Sequence, residues 1–309
     1  MTGMVKRILD CKASDLAGYN AREMIEAIAA SEGRVMMGEC IGITQPLLTD
    51  ITNAEVVASM GADILLLNMF DVQNPVIQAL PAVEKLETVR EIKRLTGRIV
   101  GINLEPVADR MQDNGELWRM TEGRRATVQN AALAVEMGVD MILLTGNPGN
   151  GISNSAIVDS LREIKNAVGD KVILAAGKMH AAGILTEAAQ EIISKEDIRE
   201  FREAGADVIL LPAPGTVPGI TMEYVRDLVG YAHKLGALTI TAIGTSQEGS
   251  DKETIRQIAL WCKMTGTDIH HIGDSGYVGM ALPENIMAYS IAIRGIRHAY
   301  HRMAQSVNR

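Results

Sequence analysis

The stretch Gly61-Ala62-Asp63-Ile64-Leu65-Leu66-Leu67-Asn68-Met69-Phe70-Asp71 decides the fold. It reads as a helix end, a buried strand and a polar tip. Gly61 follows an amphipathic segment, where a residue in the left-handed conformation commonly closes a helix. The apolar run Ile64 to Leu67 has the length and continuity of a strand covered on both faces. The same module returns at Gly138-Val139-Asp140, Gly205-Ala206-Asp207 and Gly266-Thr267-Asp268, at intervals of 77, 67 and 61 residues. Each interval has room for two βα units, since parallel strands need a crossover of roughly a dozen residues or more. Four modules with four strands between them make eight units. The expected fold is therefore a single α/β domain, a (β/α)8 TIM barrel.

Outward from these modules, residues 1–32 read as an N-terminal helical extension and residues 33–309 as the barrel. A helix through Met24, Ile25 and Ile28, capped by Ser14 or Asp15, is expected to close the barrel's bottom. Thr52-Asn53-Ala54-Glu55 fits a capping box that opens the first barrel helix. In the last helix, Ile286, Tyr289, Ile293, Ile296 and Tyr300 share one face. Barrel packing is the first reading of that face, and a homo-oligomer contact is the alternative.

A hydrophobic content of 47% is ample for one large core, and no break in composition marks a linker. A net charge of −8 and only 3% aromatic residues argue against a nucleic-acid surface. Cys11, Cys40 and Cys262 lack metal-type spacing and cannot all pair within one chain, so a reducing cytoplasm is expected. No run of 18 apolar residues occurs, so no membrane partner is expected.

In a barrel of this kind the active site lies at the C-terminal strand ends. Three groups of residues fall there. Glu39, Asp71 and Glu105, after strands 1, 2 and 3, offer hard oxygen ligands for Mg²⁺. Their other reading is bonding to loop backbones, or pairing with Arg110 and Arg119. Lys178 and His180 follow strand 5 and share parity with Val172, Leu174 and Ala176, so they are expected to point one way. A desolvated lysine there is suited to a Schiff base, to general-base work or to holding an anion; otherwise it is a solvated loop residue. The third group is a glycine-rich cradle for phosphate or carboxylate. It comprises Gly149 and Gly151 after strand 4, Gly244 and Thr245 after strand 7, and Gly273, Asp274, Ser275 and Gly276 after strand 8. Glycines also occur simply because tight turns need them. His270 and His271 are adjacent in a strand, so at most one faces the barrel mouth.

The stretches Gly61 to Asp71, Gly101-Ile102-Asn103-Leu104-Glu105-Pro106 and Ala131 to Gly146 resemble a bacterial barrel family loosely labelled phosphoenolpyruvate phosphonomutase-like. Their Gly-Ala-Asp strand rhythm is also similar to that of the barrel family involved in photosystem I biogenesis. Phosphonomutases and isocitrate lyases share a lid with lysine, glycine and cysteine, and aspartates that hold Mg²⁺. Here Gly177-Lys178-Met179-His180 lacks the cysteine, and Cys40 and Cys262 lie elsewhere. The resemblance implies a barrel and a metal, not that reaction.

These readings converge on an enzyme for a small phosphorylated or carboxylated metabolite, a metal-assisted lyase or isomerase. Glu39, Asp71 and Glu105 would hold Mg²⁺ or serve as acid and base. Lys178 would stabilise an enolate-like intermediate, and the glycine loops would hold the anion. The alternatives are a Schiff-base aldolase using Lys178 and a non-catalytic barrel that binds a metabolite or partner.

Overall fold

The computed structural model describes residues 5–106, 120–146, 152–181, 188–274 and 278–309. Eight parallel strands close a barrel in chain order: β1 (Val35–Ile41), β2 (Ile64–Asn68), β3 (Ile99–Leu104), β4 (Met141–Leu144), β5 (Ile173–Gly177), β6 (Val208–Pro212), β7 (Leu238–Ile243) and β8 (Ile269–Ile272). Two helices precede β1, α1 (Ala13–Gly18) and α2 (Ala21–Ala29). The outer ring comprises α3 (Asn53–Ser59), α4 (Thr88–Thr96), α5 (Val128–Glu136), α6 (Asn154–Val168), α7 (Lys195–Ala204), α8 (Met222–Lys234), α9 (Lys252–Thr265) and α10 (Pro283–Ala304). No described helix is long and apolar enough to cross a membrane.

Alternation along each strand divides the core into two layers. Met37, Leu66, Leu143, Ala175, Leu210 and Ala242 fill the barrel interior, while Leu65, Ile142, Leu174 and Ile209 pack outward against the helices. The extension belongs to the inner layer: Ile8, Leu16, Met24 and Ile28 pack with the interior residues and close the bottom. Where one helix capped by Ser14 or Asp15 was expected, there are two. Asp15 caps α1 from its third position by accepting from Lys12 N, and Asn20 opens α2.

The repeated Gly-x-Asp has a structural cause. Gly61, Gly138, Gly205 and Gly266 all have positive φ, between 86° and 114°, as helix-closing residues should. Each aspartate then reaches back to the preceding strand. Asp63 accepts from Met36 N (2.8 Å), Asp140 from Val100 N (2.9 Å), Asp207 from Leu174 N (3.0 Å) and Asp268 from Thr239 N (2.8 Å). The donor is each time the second residue of β1, β3, β5 or β7. One carboxylate thus pins each odd strand to the even strand that follows, at the end remote from the site. A basic side chain attends each carboxylate: Arg294 and Arg302 at Asp63, Lys93 at Asp140, Lys165 at Asp207 and His233 at Asp268.

The 2.8 Å bond to Asp268 raises the pKa of His233 above its usual 6.5. A raised histidine stabilises the fold fully below the unfolded value and loses that contribution as pH rises through the folded one. An NMR titration of the His233 ring should give a midpoint above 6.5 that falls in Asp268→Asn. A midpoint that the substitution leaves in place would reject the pairing as its cause.

Ile286, Tyr289 and Ile293 are buried against the barrel, whereas Ile296 and Tyr300 are half exposed. Between the two sets Gly295 takes φ 77° and kinks α10. The kink separates one apolar face into a packed part and an open part.

Candidate active site

A cavity of about 460 Å³ opens at the C-terminal strand ends, within the size range of small-ligand sites. Glu39, Asn68, Asn103, Glu105, Thr145, His180, Gly244, Thr245, His271, Gly273 and Asp274 all line it, as their strand-end positions require. Met69, Arg124, Met179 and Glu248 line it too, and sequence reasoning passed over them. Arg124 comes into view only through pairing: a bridge between Glu105 and Arg125 docks the 120s segment on the end of β3. Glu105 N donates to Arg124 O (2.8 Å), and the Arg124 guanidinium pairs with the Glu105 carboxylate.

The floor is a chain of polar side chains. Asn68 Nδ2 donates to Asp274 (2.8 Å), Asn103 Nδ2 donates to Asn68 Oδ1 (3.1 Å) and to Glu39 Oε1 (3.1 Å). Glu39 Oε2 lies 3.2 Å from His271 Nε2, close enough for an ion pair but not aligned as a hydrogen bond. His271 is 1% exposed and neither ring nitrogen has a hydrogen-bond partner among the described residues. Its neighbour His270 faces outward, bonded to Gly33 O (2.9 Å) and edge-on to Tyr289, and burial pushes its pKa down to about 4. The pair of histidines thus divides between structure and site. Burial first, and the positive charge of Lys178 second, lower the pKa of His180.

Two of the expected groups are placed otherwise. Asp71 does not line the cavity; its carboxylate accepts from Gln73 N (2.8 Å) and Asn74 N (2.9 Å), the loop-backbone alternative. Lys178 is 3% exposed and also off the lining. Val172, Leu174 and Ala176, whose parity it shares, pack into the outer layer, whereas Ile173, Ala175 and Met179 belong to the interior. Lys178 and His180, expected to point one way, part company: His180 lines the cavity and Lys178 does not, β5 having ended at Gly177. Gly149, Gly151, Ser275 and Gly276 lie outside the described residues, as do Arg110 and Arg119. Within the expected anion cradle, Gly273 N donates to Ile243 O (2.9 Å) and so turns away from a ligand.

Glu39, Asp71 and Glu105 therefore do not converge on one ion. Glu39 is engaged by Asn103, Glu105 by Arg124, and Asp71 by its own turn. Among the described residues, no three His, Cys, Asp or Glu side chains form a metal-holding group. The arrangement does not fit the implied Mg²⁺, and no step below runs through it.

Backbone strain marks the rim. Met69 (φ 55°) and Thr245 (φ 59°) are non-glycine residues in the left-handed region and both line the cavity. Such conformations cost on the order of 1–3 kcal/mol and gather at functional sites. Thr245 is held there by hydrogen-bonding contacts to Thr216 O (2.9 Å) and Gly244 O (2.6 Å).

Among solved structures, the carboxyl transferase domain of Rhizobium etli pyruvate carboxylase matches at 13% identity and TM-score 0.54, over 99% of this chain and 53% of that one. A 2,3-dimethylmalate lyase of the PEP mutase/isocitrate lyase superfamily matches at 13% identity and TM-score 0.49, over 82% and 81%. Thiamine phosphate pyrophosphorylase from Pyrococcus furiosus matches at 14% and 0.47, over 85% and 96%. At these identities the likeness is one of fold alone. No curated protein matches the sequence. A family model does, over residues 9–309, and the chain accordingly belongs to the family of the domain of unknown function DUF7916.

Proposed function

We propose that the protein is an enzyme, a lyase or isomerase that moves protons on a small carboxylated or phosphorylated metabolite in the barrel mouth. The observation that carries this reading is the Glu39–His271 pair. It is buried, sits on the cavity floor, and leaves both imidazole nitrogens without a hydrogen-bond partner among the described residues. Buried polar atoms in this state suit a site that a ligand completes. A carboxylate and an imidazole within 3.2 Å can pass a proton in either direction. Glu39 takes a proton from substrate oxygen or carbon. When the proton comes from a hydroxyl, the O–H pair closes a C=O as the adjacent C–C bond breaks, and that bond's electrons leave as an enolate on the departing fragment, which takes a proton from His271. When it comes from a carbon bearing a hydroxyl beside a carbonyl, the C–H pair forms an enediolate that His271 protonates on the former carbonyl carbon. In both cases Glu39 returns its proton to His271 across the 3.2 Å gap. Arg124, steadied by Glu105, holds the substrate's anionic group.

The test is NMR detection of solvent-deuterium incorporation or cleavage across a panel of short carboxylates and phosphate esters. Wild type should process at least one member, and His271→Gln should slow it about 10²–10⁴-fold. Equal rates in the two proteins would reject the pair as the proton-transfer centre. The Schiff-base route finds less support, because Lys178 does not line the cavity.

A further inference from the structure

The geometry points to a subsite on the cavity floor that reads a hydroxyl group of the ligand. It deepens the acid–base reading, and rests on it for the ligand's anionic end. The orientation of the floor amides follows from chemistry. Carboxylates only accept, so Asn68 must turn its NH2 to Asp274, and Asn103 its NH2 to Glu39. Asn103 places its second N–H contact on Asn68 Oδ1. Both of its protons are thereby used within the protein. The group left over is Oδ1, which is buried on a residue that lines the cavity and has no hydrogen-bond partner among the described residues.

His271 is the complement. Glu39 approaches it at 3.2 Å with one oxygen while the other accepts from Asn103, so a single carboxylate holds the amide and the imidazole side by side. A neutral imidazole has one N–H and one lone pair, and neither is answered here. Glu39 beside Nε2 favours the tautomer protonated there, and with that proton in place the ligand group that completes this floor donates to Asn103 and accepts from His271. A hydroxyl does both. A carbonyl oxygen has no proton and would set its lone pairs against Asn103 Oδ1 and the Glu39 carboxylate. An ammonium donates but leaves the imidazole N–H unanswered, and a methylene answers nothing. Since unmet buried groups are costly, a site built around a hydroxyl rejects analogues that lack it.

Calorimetric titration of the full chain with matched sets tests this. One set is malate, oxaloacetate, aspartate and succinate; a second is lactate, pyruvate, alanine and propionate; a third is glycerol 3-phosphate, dihydroxyacetone phosphate and propyl phosphate. In any set that binds, the hydroxyl member should be tightest, on the order of tenfold to a hundredfold over the carbonyl member. Asn103→Leu should erase that preference; if the variant does not fold, the wild-type ranking decides alone. The inference is overturned if a carbonyl, amine or unsubstituted member binds as tightly, if the preference survives in Asn103→Leu, or if no member of any set binds. Deuterium exchange on the same samples separates the two readings. Hydroxyl preference without exchange keeps the subsite and removes the acid–base role, and exchange without preference does the reverse.

Discussion

Asp63→Asn should lower the stability of the fold by about 3–5 kcal/mol, the usual result of removing one partner from a buried ion pair. Asp63 is fully buried and faces two guanidiniums, Arg294 Nη1 at 2.6 Å and Arg302 Nε at 2.7 Å. The second contact is one of charge rather than of aligned hydrogen bonding, since Asp63 Oδ1 has no hydrogen-bond donor. Burial alone would push the Asp63 carboxyl up, but Arg294 and Arg302 outweigh it and hold the pKa below the ordinary 3.8. A depressed carboxylate stabilises the fold above that ordinary value and ceases to as pH falls through the lower, folded one. Asparagine keeps the shape and an acceptor for Met36 N, so what it deletes is charge. Arg294 and Arg302 would then stay buried with no carboxylate between them. The control is Asp207→Asn, where the partner Lys165 lies 3.9 Å away and is partly exposed; its ion pair should contribute less than about 1 kcal/mol. Urea midpoints of the two variants decide the matter. If they coincide, the buried arginine pair is not what sets Asp63 apart from the other three repeats.

This cluster also shows what could and could not be read from the chain. Gly-x-Asp before an apolar run is a local signal, and it located β2, β4, β6 and β8 because helix end, turn and strand follow one another in sequence. The run Ile64 to Leu67 falls within β2 as observed. The partners of Asp63 were not legible: Arg294 and Arg302 stand more than two hundred positions away and meet it only once α10 folds back. The candidate site divides in the same way. Glu39, Asn103 and Glu105 could be assigned to the mouth from strand ends alone. Asp71 sat as close to a strand end in sequence, but its carboxylate closes the turn that leads away. Arg124 and Glu248 lie in connections, and no periodicity reports which way a connection folds. For Lys178 the alternation was carried past its range: it holds only while the chain is extended, β5 ends at Gly177, and beyond it His180 enters the lining while Lys178 does not.

Glu39→Gln should slow turnover about 10²–10⁴-fold, the range expected for loss of a positioned acid–base group, with little change in stability. Glutamine is close to isosteric, and its carbonyl oxygen can still accept from Asn103 Nδ2, so the chain of amides from Asp274 survives. The change falls on His271. A carboxylate oxygen 3.2 Å from Nε2 favours a proton on that nitrogen, whereas the NH2 of glutamine turned the same way favours a lone pair there. The imidazole proton would move to Nδ1, and the floor would lose both its proton acceptor and its preferred tautomer. Glu39 and His271 then act as one unit, and residues that act as a unit are far from additive when removed together. The double variant Glu39→Gln/His271→Gln should be no more than a few-fold slower than the slower single variant. A double variant slowed by the product of the two single effects would mean that the residues work independently. Two single variants with wild-type rates would place the chemistry elsewhere in the barrel mouth, with the Glu105–Arg124 pair as the next group to change.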